Sequence, residues 1–206
     1  MAKNTSLDFS FEKQYWDQGK DLVVGIDEVG RGPLAGPVVI CAVVLSKDCQ
    51  LVSGVKDSKK ISKKKHPLLV QQLKESGLIY QLGVGSVKQI NSLGIVGAIQ
   101  SAINQSLSKI ALYHHVLMDG LPFKEPLEIS SSIDYVTKGD AKAYSIAAAS
   151  IIAKNYRDNL MREIGEEFSH YGWEKNSGYG TKIHREAILE HGPSVHHREL
   201  FIRKLV

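Results

Sequence analysis

The sequence has little cysteine and no long hydrophobic run. Its two cysteines, Cys41 and Cys49, form no Cys-x-x-Cys pair, which excludes a cysteine-based zinc site and a thiol redox motif. The longest uncharged apolar stretch covers residues 38–45 and is too short to span a bilayer. The first twenty residues carry charges and no apolar signal core. We therefore expect a soluble cytoplasmic protein with no membrane association, in which Cys41 is a small buried hydrophobic residue.

Internal repeats, low-complexity tracts and long Pro/Gly/Ser linkers are also lacking. The 206 residues are 43% apolar and 23% charged, which is typical of a globular protein with one large core. We predict an N-terminal segment at residues 1–20, a catalytic domain at 21–170 and a helical C-terminal extension at 171–206. The extension should pack on the core.

Positive charge is in slight excess and is unevenly distributed. The net charge is +4 and the isoelectric point is about 8.9, which gives mild support to a polyanionic partner. Six lysines fall between Lys56 and Lys65, against the single acid Asp57. This run indicates either a nucleic-acid contact or a solvated, lysine-rich helix start, and both interpretations remain open.

Apolar periodicity predicts the order of the secondary structure. The predicted strands cover residues 22–27, 36–45, 78–84, 115–118 and 133–136. The predicted helices cover residues 62–76, about 95–110 and 144–168, and Ser62 is the expected N-cap of the first of them. This order of elements indicates an α/β fold in which a mixed sheet carries helices on its faces.

Acidic residues stand where several of the predicted strands end. Asp27 and Glu28 follow the first strand directly. Asp119 ends another strand, and Asp140 comes just after the last one. Any one of these acids alone would be more typical of a turn. Because ligands gather at strand ends in mixed α/β sheets, the four acids together predict one site.

The adjacency of Asp27 and Glu28 requires an explanation. Successive side chains on a strand point to opposite faces, so both acids can reach one centre only if the strand breaks there. Gly30 and Gly32 follow at once and permit such a break. We therefore predict that the strand ends at Asp27.

Clustered carboxylates repel one another unless hard cations lie between them. Mg²⁺ and Mn²⁺ prefer oxygen ligands of this kind. Two such ions can hold an attacking water and a leaving oxygen around one phosphate. The acids therefore predict a metal-dependent nuclease.

The loop after the first strand also fits a different motif. Residues 30–35 match the G-x-G-x-x-A pattern of dinucleotide-binding loops. That pattern requires a helix directly after the loop, so that the helix N-terminus meets the pyrophosphate. Here the β-branched residues at 38–45 predict a strand instead, and we reject the dinucleotide interpretation.

Six blocks of sequence stand out between about Leu22 and Phe201. The blocks are GIDEVGRGPLAGP at 25–37, DSKKIS at 57–62, MDG at 118–120, KGD at 138–140 with IAAASIIAK at 146–154 and RD at 157–158, SGYGT at 177–181, and HR at 197–198. Together they resemble the ribonuclease HII family, also called type 2 ribonuclease H, and their order and spacing make the resemblance specific.

The resemblance implies both a fold and an activity. The implied fold is a ribonuclease H-like core, with a five-stranded mixed sheet flanked by helices, and a small helical C-terminal extension. The implied activity is endonucleolytic hydrolysis of the RNA strand of RNA–DNA hybrids, including at single ribonucleotides embedded in duplex DNA. The products would carry 5′-phosphate and 3′-hydroxyl ends, and the enzyme would serve DNA replication and repair.

The resemblance also assigns roles to residues of this chain. The four catalytic, metal-binding acids of the family correspond to Asp27, Glu28, Asp119 and Asp140, which would bind two Mg²⁺ or Mn²⁺ ions. The substrate-binding residues of the family correspond to Gly30, Arg31, Gly32 and Tyr179. Lys59 and Lys60 are interpreted as phosphate contacts that position the duplex.

These roles agree with what ribose recognition requires. Only the 2′-hydroxyl distinguishes RNA from DNA at a given site. Glycines at 30 and 32 would let backbone groups approach the ribose, and Arg31 could reach a neighbouring phosphate. Tyr179 could stack on a sugar or base, although outside the family context an ordinary loop aromatic is the simpler interpretation. His196 and His197 are expected to pack locally without a chemical role.

Three other functions share part of the pattern. A junction resolvase or transposase-like nuclease would have the acids without needing the ribose-sensing loop. An inactive hybrid-binding protein would have lost acids that are all present here. A metal phosphatase for small molecules would need neither the lysine run nor Tyr179. We expect a monomer, and the tail at 201–206 is too generic to identify a docking peptide or a protein partner.

Overall fold

A five-stranded mixed sheet forms the centre of the protein. The computed structural model describes residues 7–56, 58, 61–62, 65–125, 127, 129 and 131–205. The strands are β1 (Val23–Val29), β2 (Val38–Leu45), β3 (Ile79–Gly85), β4 (His115–Asp119) and β5 (Ser132–Val136). Their order is β3-β2-β1-β4-β5. β1 is antiparallel to β2 and parallel to β4, which is parallel to β5, so the predicted mixed sheet is confirmed.

Helices cover the sheet and form the C-terminal part of the chain. They are α1 (Ser10–Trp16), α2 (His66–Glu75), α3 (Val87–Leu107), α4 (Tyr144–Glu167), α5 (Trp173–Asn176), α6 (Lys182–His191) and α7 (Glu199–Ile202). Short 3₁₀ turns lie at Gly139–Ala141 and Ser169–Tyr171. None of the helices in the described part of the chain combines the length and the apolar character that crossing a membrane requires.

The two faces of β2 show how the core is divided. Its residues are all buried, and alternate side chains point to opposite faces. Val39, Cys41 and Val43 pack against the alanine-rich segment of α4, while Ile40 and Ala42 pack against α3. Burial of Cys41 confirms the sequence-based prediction. Both long helices therefore lie directly on the central strands.

Small residues allow α4 to approach the sheet closely. Gly25 of β1 has no room for a Cβ atom, which would overlap the backbone and side chain of Ser145. Ser145 is in the first turn of α4. This close approach brings the helix start against the strand that carries Asp27 and Glu28.

Several predicted boundaries differ from the structure. The helix predicted at about 95–110 is α3, which covers Val87–Leu107 and begins at the capping box of Ser86 and Gln89. β1 does not end at Asp27 but continues to Val29, because β2 supplies pairing partners for Glu28 and Val29. The strand ends at Gly30, which has a φ of +92°. The first predicted helix begins at His66 rather than after Ser62, and the N–H groups of Lys65 and His66 donate to the Ser62 carbonyl.

The N-terminal helix α1 is attached to α4 through a buried acid. Glu12 is fully buried, and its Oε1 accepts hydrogen bonds from the Ser145 N–H and hydroxyl, both at 2.7 Å. The carboxylate thus meets the positive end of the α4 dipole and satisfies one of its free N–H groups. Burial nevertheless raises the pKa of Glu12. The contact makes the position of α4 depend on α1.

The C-terminal helices surround a second, aromatic cluster. Trp173 is fully buried there, beside Tyr171 and Met161 of α4. The cluster also contains Ala35, from the loop that follows β1. Phe201 packs onto the α3 side of the core. The C-terminal part is therefore built around the loop that carries Gly30 to Gly32.

Candidate active site

Three carboxylates meet at one edge of the sheet. Asp27 and Glu28 lie near the end of β1, and Asp119 is the last residue of β4. β1 and β4 are parallel neighbours in which Ile26 pairs with Met118, so their C-terminal ends lie side by side. The negative charge of Asp119 raises the pKa of both other acids, which places the three groups within mutual electrostatic range.

Asp27 and Glu28 reach this edge from different directions. Both residues are paired with β2, so the predicted strand break between them is wrong. Asp27 points to the α4 face and receives a hydrogen bond from Ser150. Glu28 leaves the other face, where its Oε1 lies 3.3 Å from Nη1 of Arg31. Proximity to Asp119 comes from the parallel strand ends and does not require a break.

Asp27 lies in the least favourable environment for a negative charge. Its exposed fraction is 6%. Burial raises the pKa of its carboxyl well above the usual range, and the charges of Glu28 and Asp119 raise it further. The hydrogen bonds from Ser150 and from the Glu28 N–H, the latter at 2.8 Å, act in the opposite direction. The site therefore favours a neutral or cation-paired Asp27.

Glu28 is partly compensated by a neighbouring cation. Burial raises the pKa of its carboxyl, and the Arg31 guanidinium lowers it. The Arg31 side chain is 57% exposed, so this ion pair contributes little to stability. Arg31 therefore remains available to contact an anion outside the protein.

A tight turn holds the fourth acid beside Asp119. The Gly139 N–H donates a hydrogen bond of 2.6 Å to Oδ1 of Asp119. A Cβ atom at Gly139 would come within 2.6 Å of the end of the Ile146 side chain and within 3.3 Å of Oδ1 of Asp119, so a larger residue would require Ile146 to move. Asp140 follows in the same 3₁₀ turn and is 7% exposed. Sequence reasoning missed Gly139, although a glycine directly before an acid is the signal that could have identified it.

The described carboxylates are not spaced as a ready-made metal-binding group. Among the described residues, no group of three or more His, Cys, Asp or Glu side chains has the spacing needed to hold a metal ion. What the structure gives is a set of hard oxygen donors on neighbouring strand ends, two of which have raised pKa values.

A buried serine pair connects this site to the lysine-rich segment. The hydroxyl of Ser58 lies 3.0 Å from the hydroxyl of Ser150, the residue that hydrogen-bonds Asp27. Both serines are buried. Lys59 and Lys60, predicted to contact phosphates, lie outside the described residues, and their role stays a prediction.

The loop after β1 and the loop that carries Tyr179 lie against each other. The Leu34 N–H donates to the Gly178 carbonyl at 2.8 Å, and a Cβ atom at Gly178 would overlap the Ala35 carbonyl. Gly180 packs against the Leu34 side chain. Tyr179, between these glycines, is 48% exposed. The structure thus brings together two elements that are far apart in sequence.

The two glycines of the loop differ in what they permit. Gly30 has a positive φ, and a Cβ atom there would overlap the Arg157 guanidinium. Gly32 has no heavy atom within 4 Å of its Cβ position. Gly30 is therefore required by the fold itself, whereas Gly32 keeps a space open on the outer side of the loop.

Four buried polar residues around these loops had no predicted role. Arg157 donates to the carbonyls of Ala35, Pro37 and Ser177, and Arg198 donates to carbonyls of the loop after β1. His184 Nδ1 lies 2.9 Å from the Tyr179 carbonyl, and its Nε2 lies 3.0 Å from His197 Nε2. Arg157 could have been found from its place between Ala153 and Met161, at the spacing of the buried side of α4.

Comparison with known sequences identifies close relatives. A sequence model described as ribonuclease HII matches residues 24–204. Ribonuclease HII of Thermosynechococcus vestitus is 40% identical over 201 residues, which cover 97% of this chain and 92% of the relative. Ribonuclease HII of Staphylococcus epidermidis is 44% identical over 193 residues, which cover 93% of this chain and 73% of the relative.

Solved structures share the fold. Ribonuclease H2 of Pyrococcus horikoshii superposes with a TM-score of 0.70 at 24% identity, over 89% of this chain and 96% of the other. Ribonuclease HII of Archaeoglobus fulgidus, solved in a complex with PCNA, gives a TM-score of 0.68 at 25% identity, over 89% and 94% of the two chains. These superpositions confirm the predicted ribonuclease H-like fold.

Proposed function

Because the chain belongs to the ribonuclease HII family and is an endoribonuclease with ribonuclease H activity, we propose that it also cleaves at single ribonucleotides embedded in duplex DNA. We propose further that Asp27, Glu28, Asp119 and Asp140 form its catalytic centre. The observation that carries the proposal is the juxtaposition of these acids with the loop pair that contains Gly30 to Gly32 and Tyr179. Phosphodiester chemistry and ribose recognition would then occur side by side.

The donor set fits divalent cations of the hard type. All four proposed ligands are carboxylates, and Mg²⁺ and Mn²⁺ select oxygen ligands. Burial and mutual repulsion raise the pKa of Asp27 and Glu28, and a bound cation would relieve both effects. When two such ions are bound, they supply an activated water and stabilise the charge on the leaving oxygen.

Residues of the chain itself supply the rigidity of this centre. Ser150 holds Asp27 from α4, and the Gly139 N–H holds one oxygen of Asp119. The bond from Gly139 uses Oδ1 of Asp119, so Oδ2 of this acid can act as a ligand. Restricting the rotation of the acids lowers the ordering cost of assembling the site around a phosphate.

Discrimination of the sugar is assigned to the loop pair. Gly32 leaves open space where the backbone can approach a 2′-hydroxyl, and Arg31 is exposed and can reach a phosphate. Tyr179 presents a half-exposed ring beside this loop and can stack on the sugar or base that follows. A site that hydrogen-bonds one hydroxyl rejects the analogue that lacks it, because its polar groups are left unpaired.

The remaining proposals concern the setting of the enzyme. We propose that the enzyme acts as a monomer. Both cysteines are free thiols, which supports a reducing compartment such as the cytoplasm. The specificity proposed here would serve ribonucleotide removal during DNA replication and repair. Membership of the family sets aside the resolvase, phosphatase and inactive-binder alternatives.

The test is single-turnover cleavage of a DNA duplex with one ribonucleotide, run with Mg²⁺ and with Mn²⁺. We expect one cut at the ribonucleotide, no cut in a matched all-DNA duplex, and loss of cleavage on chelation. An RNA–DNA hybrid of the same sequence serves as the positive control. Cleavage of the hybrid without cleavage at the lone ribonucleotide would refute the proposed specificity while leaving the family activity intact.

A further inference from the structure

A single buried arginine holds the backbone of the ribose-sensing loop. Arg198 has no exposed surface, and its Nη2 donates to the Gly30 carbonyl at 2.6 Å. Its Nη1 donates to the Arg31 carbonyl at 3.0 Å, and its Nε donates to the Gly36 carbonyl at 2.8 Å. The guanidinium therefore binds both ends of the loop and its central peptide group at once.

These bonds determine which way the N–H groups of the loop point. In a trans peptide the C=O and the following N–H point in opposite directions. Because the carbonyls of Gly30 and Arg31 both face Arg198, the N–H groups of Arg31 and Gly32 point away from it. Arg31 and Gly32 are exposed, and neither N–H donates to a group in the described part of the chain. Two successive donors thus face the open side of the loop.

The guanidinium is well suited to this task. Its planar fork places several donors at fixed angles, which a lysine ammonium cannot reproduce. Without it, the buried carbonyl of Gly30 and the partly buried carbonyl of Arg31 would lose their partners, which is costly. The simplest relief is rotation of each peptide unit toward water, and that rotation turns the N–H groups inward. The outward direction of the donors therefore depends on Arg198.

The second buried arginine has a separate role. Arg157 donates to the carbonyls of Ala35, Pro37 and Ser177 and makes no bond to Gly30 or Arg31. It joins the loop after β1 to the loop that carries Tyr179. Burial, followed by the charge of Arg157, lowers the pKa of Arg198 to about 9. Arg198 therefore remains charged at neutral pH, and the two cations favour a phosphate nearby.

We infer that Arg198 is a positioning residue for ribose discrimination, which orients the Arg31 and Gly32 N–H groups toward the 2′-hydroxyl and its adjacent phosphate. The inference rests on the proposed function of the loop. Arg198 itself is buried and touches no substrate. Its loss should abolish the preference for a ribonucleotide while leaving the general affinity for duplex DNA largely unchanged.

The test measures this preference as a ratio of two affinities. Duplexes with one ribonucleotide and without it are titrated in Ca²⁺, with a gel to verify that no cleavage occurs, against wild type, Arg198→Met and Arg203→Met. Arg203 is an exposed arginine five residues further along the chain and gives the same charge change. We expect Arg198→Met to reduce the ratio by about tenfold or more, as the loss of oriented hydrogen bonds predicts, and Arg203→Met to leave it unchanged.

The ratio separates positioning from a general loss of folded protein. A fraction of unfolded enzyme lowers both affinities equally and does not change their ratio. An unchanged ratio in folded Arg198→Met would overturn the inference alone. Absence of any preference in the wild type would overturn the proposed function and the inference together. If Arg198→Met does not fold, Arg198→Lys decides by the same ratio, since lysine retains the charge but loses the fork.

Discussion

Two neighbouring regions of the molecule differ in their electrostatics. One is the acidic edge of the sheet, with Asp27, Glu28 and Asp119. The other is the loop frame, which consists of Arg157, Arg198 and the two loops whose carbonyls they bind. At the edge, like charges lie close together, and the pKa values of Asp27 and Glu28 are raised. In the frame, the buried cations Arg157 and Arg198 have every assigned hydrogen bond directed to a backbone carbonyl. The environment of the edge is unfavourable for the charged forms of its acids, whereas the arginines of the frame have carbonyl partners within the protein.

This difference separates function from stability. We attribute the raised pKa values at the edge to the proposed cation site, so removing an acid should harm activity without harming the fold. The frame works through backbone geometry, so changes in it should alter both folding and selectivity. The following predictions test this division, beginning with the largest effect.

Asp27→Asn should have the largest functional effect and a small stabilising effect. A proposed ligand to the reaction centre is lost, so we expect activity to fall by about 10³-fold or more. The raised pKa of Asp27 means that its charged form destabilises the fold at any pH well above the ordinary carboxyl value. The neutral variant should therefore unfold at the same or a slightly higher temperature at pH 7. Single-turnover cleavage and thermal denaturation measure the two quantities, and near-normal turnover would refute the site.

Tyr179→Ala should lower cleavage at a lone ribonucleotide by about 10²-fold, because a stacked ring is worth roughly 1–3 kcal/mol. Tyr179 is half-exposed, so the thermal midpoint should change little. Tyr179→Phe separates the two roles of the side chain, since it keeps the ring and removes the hydroxyl. Full activity of Tyr179→Ala would show that sugar recognition lies elsewhere.

Gly30→Ala and Gly32→Ala should divide the loop into a structural and a functional part. Alanine at position 30 would adopt a strained φ and overlap Arg157, so we expect a loss of about 1–3 kcal/mol in the free energy of unfolding. Alanine at position 32 meets open space and should leave stability unchanged while slowing ribonucleotide cleavage. Urea denaturation and the cleavage assay are run on both variants. Equal stability of the two would contradict the assignment.

His197→Gln should change how stability depends on pH. Burial, then the nearby His184, lowers the pKa of His197 to about 4. The neutral form is thus favoured in the fold, and its stabilising contribution is present above about pH 6.5 and lost as the pH falls toward 4. We expect the variant to flatten that loss by about 2 kcal/mol, measured by urea denaturation between pH 7.5 and 4.5. His191→Gln, at an exposed histidine, is the matched control, and an equal flattening there would contradict the prediction.

Elements could be predicted where burial or position at a strand end determines the residue type. The strand that carries Cys41 could be predicted from the sequence, because burial on both faces selects β-branched residues. The grouping of Asp27, Glu28 and Asp119 at one edge of the sheet could be predicted because ligands gather at strand ends, and their role as ligands stays a prediction. The extension of β1 to Val29 could not be predicted from local sequence, because it depends on pairing with β2, which lies beyond the turn.

The loop frame could not have been predicted from sequence patterns. Arg198 and Arg157 bind backbone carbonyls. Because every residue type has a backbone carbonyl, the sequence does not indicate which residues are their partners. His184 likewise binds the carbonyl of Tyr179. Only the three-dimensional neighbourhood shows that these residues serve the loops, although motifs such as HR at 197–198 indicated that the positions were unusual.

The separation of Gly30 from Arg198 has a consequence for the order of folding. The two residues are 168 positions apart, so the loop proposed to recognise the ribose is completed by one of the long-range contacts of the described residues. Contacts of this kind form late, because the intervening segment must first be ordered. The strand ends that carry the acids can therefore assemble before the loop has its final form. Pulse-labelled hydrogen exchange should show the Ile26 amide of β1 protected before the Leu34 amide, and simultaneous protection would contradict this order.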